Sequence, residues 1–440
     1  MKSNRIPKIV WLKKTWDLKY NPFPAEAIAR LGGDDLKENG LLFNDTIQPE
    51  KLAEAAEKFV LGSVYSGLKF GYLWSLGTGV SPDARGFGKS VVMQYLVEKI
   101  NQDFGKTTFL QCGLDESDAE EEPICAVLAS FDMANSRALN AVFYEAARYG
   151  CRFQKSPETP TLFARIRQRL VQRVGSEKIK DLVSAIEEVQ ANLRGRTLGP
   201  PVQEFLEVLC SGDSKRVQQY VDGVKPATRT RSGANYLATF LLMIKASGID
   251  HVLLCCDQLE DFASTATARQ KRTVETERFR DYLLELQPMC DMLSCVVTLH
   301  PRATLAIGEM WRLADLPSYD YSREENRHSV VVLESISAEK AEALVTTYIA
   351  AARGNSDRSG DHLFPFTSQA VEAICKRADG KPRDILRKAF ALVERGSEEN
   401  WDVIDGERAA RVLDSFTETE DDNLEPIASA GTPNRAGLWN

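Results

Sequence analysis

The run Arg85-Gly86-Phe87-Gly88-Lys89-Ser90 has the residue types and spacing best suited to chemistry in this chain of 440 residues. Glycines at 86 and 88 let the backbone turn so that successive N–H groups converge, and a helix beginning near Ser90 adds the positive end of its dipole at the same point. Such a turn, with Phe87 between its glycines, cradles phosphate oxygens. Lys89 would reach the β and γ phosphates, and the Ser90 hydroxyl would bind Mg²⁺. The full pattern, Gly-x-x-x-x-Gly-Lys-Ser, places its first glycine at residue 83, which is Asp83 here, and Gly77-Thr78-Gly79-Val80-Ser81-Pro82 lengthens the loop. An acid beside a polyphosphate is unfavourable, so Asp83 is expected to point outward. The competing reading is a plain glycine turn before a capped helix.

A second group stands far along the chain. Val252-Leu253-Leu254-Cys255-Cys256-Asp257 reads as an apolar strand that ends in a carboxylate. A buried parallel strand of this kind delivers its acid to the edge where the cradle lies, and there Asp257 would hold Mg²⁺ through water. By itself it is equally an ordinary strand end. In conjunction with Gly-Lys-Ser, and followed by another apolar strand, the metal-side reading is the stronger.

These residues need elements to position them. Phe70 to Leu76 is short and aromatic, as a strand would be, and Thr107 to Cys112 is the second strand candidate. Strand-like runs return at His251 to Cys256, Leu293 to Leu299 and Ser329 to Leu333. Helical spacing marks residues from Pro49 to Val60, Ser90 to Asn101, Ala338 to Ala352, Ser368 to Ala378, Arg383 to Gly396 and Glu407 to Phe416. Strands alternating with helices argue for a parallel sheet covered on both faces. The organisation that follows is an arm over residues 1–48, a core over 49–116 and 235–335, a helical insertion over 117–234, a helical lid over 336–416 and an acidic disordered tail over 417–440.

The formal charge of −8 excludes a globally basic nucleic-acid coat, and 43% apolar residues suffice for a sizeable interior. Nine cysteines without a Cys-x-x-Cys pair suggest a reduced, cytoplasmic setting, and no apolar stretch is long enough to span a membrane.

Together these motifs resemble those of AAA+ P-loop ATPases, nearest to the origin-recognition-like and bacterial phage-defence-associated branches, over residues 20–116 and 235–416. The resemblance implies an α/β fold: a parallel αβα P-loop NTPase core with a C-terminal helical lid and a large helical insertion. It also implies a catalytic Glu directly after the strand-end acid, where this chain has Gln258. Either Glu260 serves as the general base, or hydrolysis is slow and ATP acts as a conformational ligand, since an amide orients water but accepts no proton. A polar sensor is implied at the end of the next strand, lying in space between cradle and acid, where Thr298 and His300 stand. Gly380-Lys381-Pro382-Arg383 resembles the second sensor of the lid, with Arg383 pairing to the γ-phosphate.

Arginines acting in trans would come from Arg302, Arg312, Arg323 or Arg327, of which Arg323 and Arg327 sit nearer the usual position. Pro22 and Phe23 would line an adenine pocket or serve only N-terminal packing. No Asn-Lys-x-Asp guanine reader is present, so ATP is favoured over GTP. Homo-oligomers and a protein partner or effector follow from the resemblance. DNA association has the same source, since the stripe Arg269, Lys271, Arg272, Arg278 and Arg280 is interleaved with Glu275 and Glu277 and reads as a solvated helix face. Two functions fit: an ATP-dependent, DNA-associated oligomeric switch or remodeller, and a weakly hydrolysing scaffold that recruits an effector through the insertion.

Overall fold

The computed structural model describes residues 7–26, 42, 46–75, 85–130, 138–152, 161–193, 201–258, 269–286, 292–298, 311–318, 323–353 and 361–415. The first described helix is α1 (Lys8–Thr15). Later, α2 (Pro49–Ala55) runs through a π-helical turn into α3 (Gly62–Tyr65), and β1 (Phe70–Ser75) follows. Next come α4 (Lys89–Asp103), α5 (Lys106–Gln111), α6 (Glu116–Glu121) and β2 (Ile124–Ser130). Between β2 and β3 (His251–Asp257) lie α7 (Asn140–Gly150), α8 (Leu162–Val174), α9 (Ile179–Asn192), α10 (Gln203–Ser211), α11 (Ser214–Gly223) and α12 (Pro226–Ala246). Helix α13 (Arg269–Leu286) leads to β4 (Met292–Thr298) and β5 (Val330–Leu333). The described chain closes with α14 (Ala338–Ala352), α15 (Ser368–Arg377), α16 (Pro382–Glu399) and α17 (Gly406–Ser415).

Among the described residues five strands form one parallel sheet in the order β2-β3-β4-β1-β5. β2 and β3 are buried at every position, as strands covered on both faces must be. One face, with Leu73, Leu128, Leu253 and Val296, packs on α4 and on Phe59 and Val60 of the π-helical turn. The other, with Tyr72, Val127, Leu254 and Val297, shares a continuous apolar cluster with α7, α12 and the helices between them. The insertion therefore lies directly on the sheet. Helix α12 bends at Ser232, and Asn140 explains how the bend is kept: its side chain accepts from the Ala234 N–H at 2.9 Å and donates to the Thr230 carbonyl at 2.9 Å, replacing ladder bonds lost there.

Two expectations need correction. Thr107 to Cys112 is not the second strand, since Thr107 to Gln111 lies in α5, which buries only Thr108 and Phe109 and leaves Leu110 exposed. The second strand is Ile124–Ser130, within the stretch expected to be helical insertion, which begins only after this strand. A continuous apolar run, Ile124 to Ala129, was the signal, and the acidic residues from Asp115 to Glu122 just before it hid the return to sheet. The tail beyond residue 416 lies outside the described residues.

The N-terminal arm does not stand alone. Trp11, Leu12, Trp16, Leu18 and Phe23 are buried in one cluster with α14, α15, α16 and α17. The Trp16 indole N–H donates to the Asp402 carbonyl at 3.0 Å, and Asn21 donates to Glu394 at 2.8 Å. Trp16→Ala is expected to cost about 3–5 kcal/mol, the usual range for a fully buried Trp. Hydrogen exchange should show this loss first in the four C-terminal helices. Uniform loss over the sheet instead would mean that the arm does not belong to the lid core.

Candidate functional site

β1 leads into the cradle and α4 leads out of it. Gly86 and Gly88 take φ of 88° and 92°, a region that strains residues with a Cβ, and Gly88 is the residue from which α4 starts. Lys89 is buried at the first turn of that helix, and its Nζ donates to Ser75 Oγ, at the end of β1, at 2.9 Å. Phe87 is buried between the two glycines, with the Lys381 ammonium 5.9 Å from its ring centre. Asp83 and residues 77–82 lie outside the described residues.

Because β4 pairs with both β1 and β3, the ends of these strands come side by side. Thr298 Oγ1 donates to Asp257 Oδ1 at 2.9 Å and accepts from the Gln258 N–H at 2.9 Å. The Ser90 hydroxyl also hydrogen-bonds the Asp257 side chain. Burial pushes the Asp257 carboxyl above its ordinary pKa, against the opposing pull of the Ser90 and Thr298 hydrogen bonds, the Lys89 charge and the Gln258 N–H. One carboxylate and one hydroxyl held together suit a hard cation that takes few protein ligands and keeps several waters. Ser90 and Asp257 thus fit Mg²⁺, while among the described residues no cluster of three acidic, His or Cys side chains forms a separate metal cage.

Gln258 has a left-handed backbone, φ 57°, and its side-chain oxygen accepts from Ser130 Oγ at the end of β2. The residue after the acid is therefore tied sideways to the neighbouring strand. Glu260 and His300 lie outside the described residues.

The lid reaches the cradle through its backbone. The Arg383 N–H, in the first turn of α16, donates to the Gly86 carbonyl at 3.1 Å, and a Cβ on Gly86 would stand 2.9 Å from Arg383 Cβ. Burial raises the pKa of neighbouring Asp384, and Lys388, Lys381, Arg383 and Arg387 oppose that shift. The start of α16 thus presents a cation-rich helix end to the glycine turn.

Other expected residues lie elsewhere. Phe23 stacks on Tyr348 at 6.0 Å and meets Phe366 edge-on at 5.8 Å, and Pro22 is buried beside it. The structure thus places both in the packing of the arm on the lid, one of the two readings open to them. Arg312, Arg323 and Arg327 are exposed, Arg323 with its guanidinium 3.8 Å from Glu325, and Arg302 lies outside the described residues. Ser75 and Ser130 were not anticipated. Each is the last residue of its strand, a small polar side chain ending an apolar run, and that was the available signal.

No family model matches the chain, and no curated protein matches it. Among solved structures, the ORC2 protein of Aeropyrum pernix, in its ADPNP and ADP complexes, is similar at 10% identity, over 90% of this chain and 71% of that one, with a TM-score of 0.42. The strand order says more. β4 stands between the cradle strand and the acid strand, where the resemblance to AAA+ proteins implied it, and helices α14 to α17 follow β5. The described core is an α/β fold built on one parallel sheet.

Two variants test the site. A carboxyl whose pKa is raised on folding favours the fold below its ordinary range and loses that contribution as pH rises through the raised value, so ionised Asp257 opposes folding at neutral pH. Asp257→Asn is therefore expected to melt at or above the wild-type temperature at pH 7 without nucleotide, and to lose any shift produced by ATP and Mg²⁺. A lower melting temperature would make Asp257 a structural cap only. Gly86→Ala, strained in φ and pressed against Arg383, should leave the sheet folded and separate lid from cradle, seen as faster proteolysis between β5 and α16. Unchanged proteolysis would mean that the Arg383–Gly86 contact does not hold the two together.

Proposed function

We propose that the protein binds ATP with Mg²⁺ at the cradle and acts as an ATP-dependent oligomeric switch or remodeller. The observation that carries this reading is the convergence of Lys89, Ser90, Asp257 and Thr298 at the ends of three adjacent strands, with the Arg383 backbone on the same turn. The N–H groups from Gly86 to Ser90 would hold phosphate oxygens, and Lys89 would exchange its Ser75 partner for the β and γ phosphates. Mg²⁺, held by Ser90 and Asp257, would supply charge neutralisation across the phosphates. Thr298 keeps Asp257 in place, and Arg383 couples the lid to the γ-phosphate. Arg323 and Arg327, exposed just before β5, are the side chains a neighbouring copy would meet.

A second reading has its own support. With Gln258 tied to Ser130, no carboxylate follows Asp257 directly, which favours slow turnover and a scaffold whose state is set by bound ATP. Glu260 as general base favours the remodeller. Association with DNA, and recruitment of an effector through the insertion, come from the resemblance.

Nucleotide binding with Lys89→Ala is the deciding measurement. Loss of one charge-assisted contact should weaken ATP by about 10- to 100-fold. Turnover that is measurable in the wild type and abolished by Glu260→Gln supports the remodeller, whereas tight binding with little turnover, raised by Gln258→Glu, supports the scaffold. If ATP changes neither the melting temperature nor the assembly mass of the wild type, both readings fail.

A further inference from the structure

Helix α8 carries Arg165, Arg167, Arg169 and Arg173 and no acidic residue, in a chain of net charge −8. Elsewhere helix arginines are matched locally: Arg278 to Glu275 at 2.9 Å, Arg280 to Asp281 at 2.7 Å and Arg395 to Glu399 at 2.7 Å. Among the described residues, no carboxylate pairs with an α8 arginine within salt-bridge distance. Arg167 has a structural duty, its Nε donating to the Cys210 carbonyl at 3.4 Å near the end of α10. Arg169 and Arg173 do not share such a duty.

Arg165, Arg169 and Arg173 recur every fourth residue and so share one face, rising about 6 Å per step. The first two guanidiniums lie 5.3 and 5.1 Å from the centre of the Phe104 ring, which follows the end of α4, and the third packs on the backbone of Gly248 just before β3. Arg165 Nη1 donates to the Gln102 carbonyl at 2.6 Å, while the Nε atoms of Arg165 and Arg169 are buried without an acceptor. Burial lowers the pKa of Arg165 against the pull of Glu98 and Asp103. For Arg169, burial and the Arg173 charge both act against its own charge. Two neighbouring cations are thus held in place by an aromatic ring and a turn, with no carboxylate between them.

We propose that the Arg165–Arg169–Arg173 face of α8 binds the sugar-phosphate backbone of a nucleic acid. Planar guanidiniums suit phosphate oxygens in bidentate fashion, and a regular row of them suits a polymer that repeats its charge. The row stands at the far end of α4 from the cradle, about 20 Å away by the length of that helix. It deepens the nucleic-acid part of the proposed function and rests on that part, independently of ATP.

The test is titration of the full-length protein into labelled random-sequence oligonucleotides, single-stranded and duplex, across a range of KCl concentrations. Arg173→Gln should reduce the slope of log affinity against log salt by about 1, and Arg169→Gln with Arg173→Gln by about 2, with affinity at low salt falling tenfold or more. Arg173 is exposed, so its single variant reads out binding even if the double variant fails to fold. Arg395→Gln, the control, should bind as the wild type does. The stronger of the two oligonucleotide forms identifies the ligand. Absence of binding by the wild type, an unchanged slope in the variants, or equal competition by polyglutamate overturns the proposal. Lys89→Ala separates the two claims: it should lose its ATP response and keep α8-dependent binding, and α8 variants that bind ATP and oligonucleotide as the wild type does overturn this inference alone.

Discussion

Asp257 is held at the end of a buried strand by Thr298 on one side and Ser90 on the other, and the geometry of the site follows from that arrangement. It requires β4 beside β3, so that Thr298 reaches the acid, and β1 beside β4, so that the cradle opens onto the same edge. Burial opposes the charge on this carboxylate, and the hydroxyls and the Lys89 ammonium restore only part of what water would give it. A protein that needed only a strand cap would gain by using an uncharged residue here. Retaining an acid at such a place is what the proposed Mg²⁺ site would require.

Much of this was legible in the sequence because it is local. Glycines at 86 and 88, the lysine and serine after them, and an apolar strand ending in Asp257 each announce their geometry within a few residues. Long apolar strands such as His251–Asp257 declare themselves by composition, and the lid helices by their spacing. What escaped was non-local. Whether a short apolar run is helix or strand depends on what covers it: Lys106–Gln111 has cover on one side and is helical, whereas Ile124–Ser130 has cover on both and is a strand. The partners Ser75 and Ser130 became visible only when strand order brought residues 14 and 128 positions apart into contact.

The insertion and the sheet share one apolar cluster, so a force applied to α7 or α12 acts directly on β2 and β3. Ser130 and Gln258 stand at the ends of these two strands. The cradle's own helix, α4, packs on the opposite face and extends from Lys89 to Asp103, and α8 lies against Phe104 just past its end. The two faces of the sheet therefore connect the edge that carries Lys89 and Asp257 to the arginine-bearing helix by packed elements on both sides.

The joining of the arm to the lid has a consequence for how the molecule is made. Trp16, buried in the cluster of the C-terminal helices, meets Asp402 from 386 positions away, and the exposed pair of Lys8 with Glu394 spans the same separation at the surface. Contacts so distant along the chain form slowly, because closing so long a loop costs entropy before any contact rewards it. During synthesis the first tryptophans emerge long before the helices that cover them. Until the ribosome has delivered the last hundred residues, that apolar arm has no native partner, and a chaperone or a transient neighbour would have to shield it.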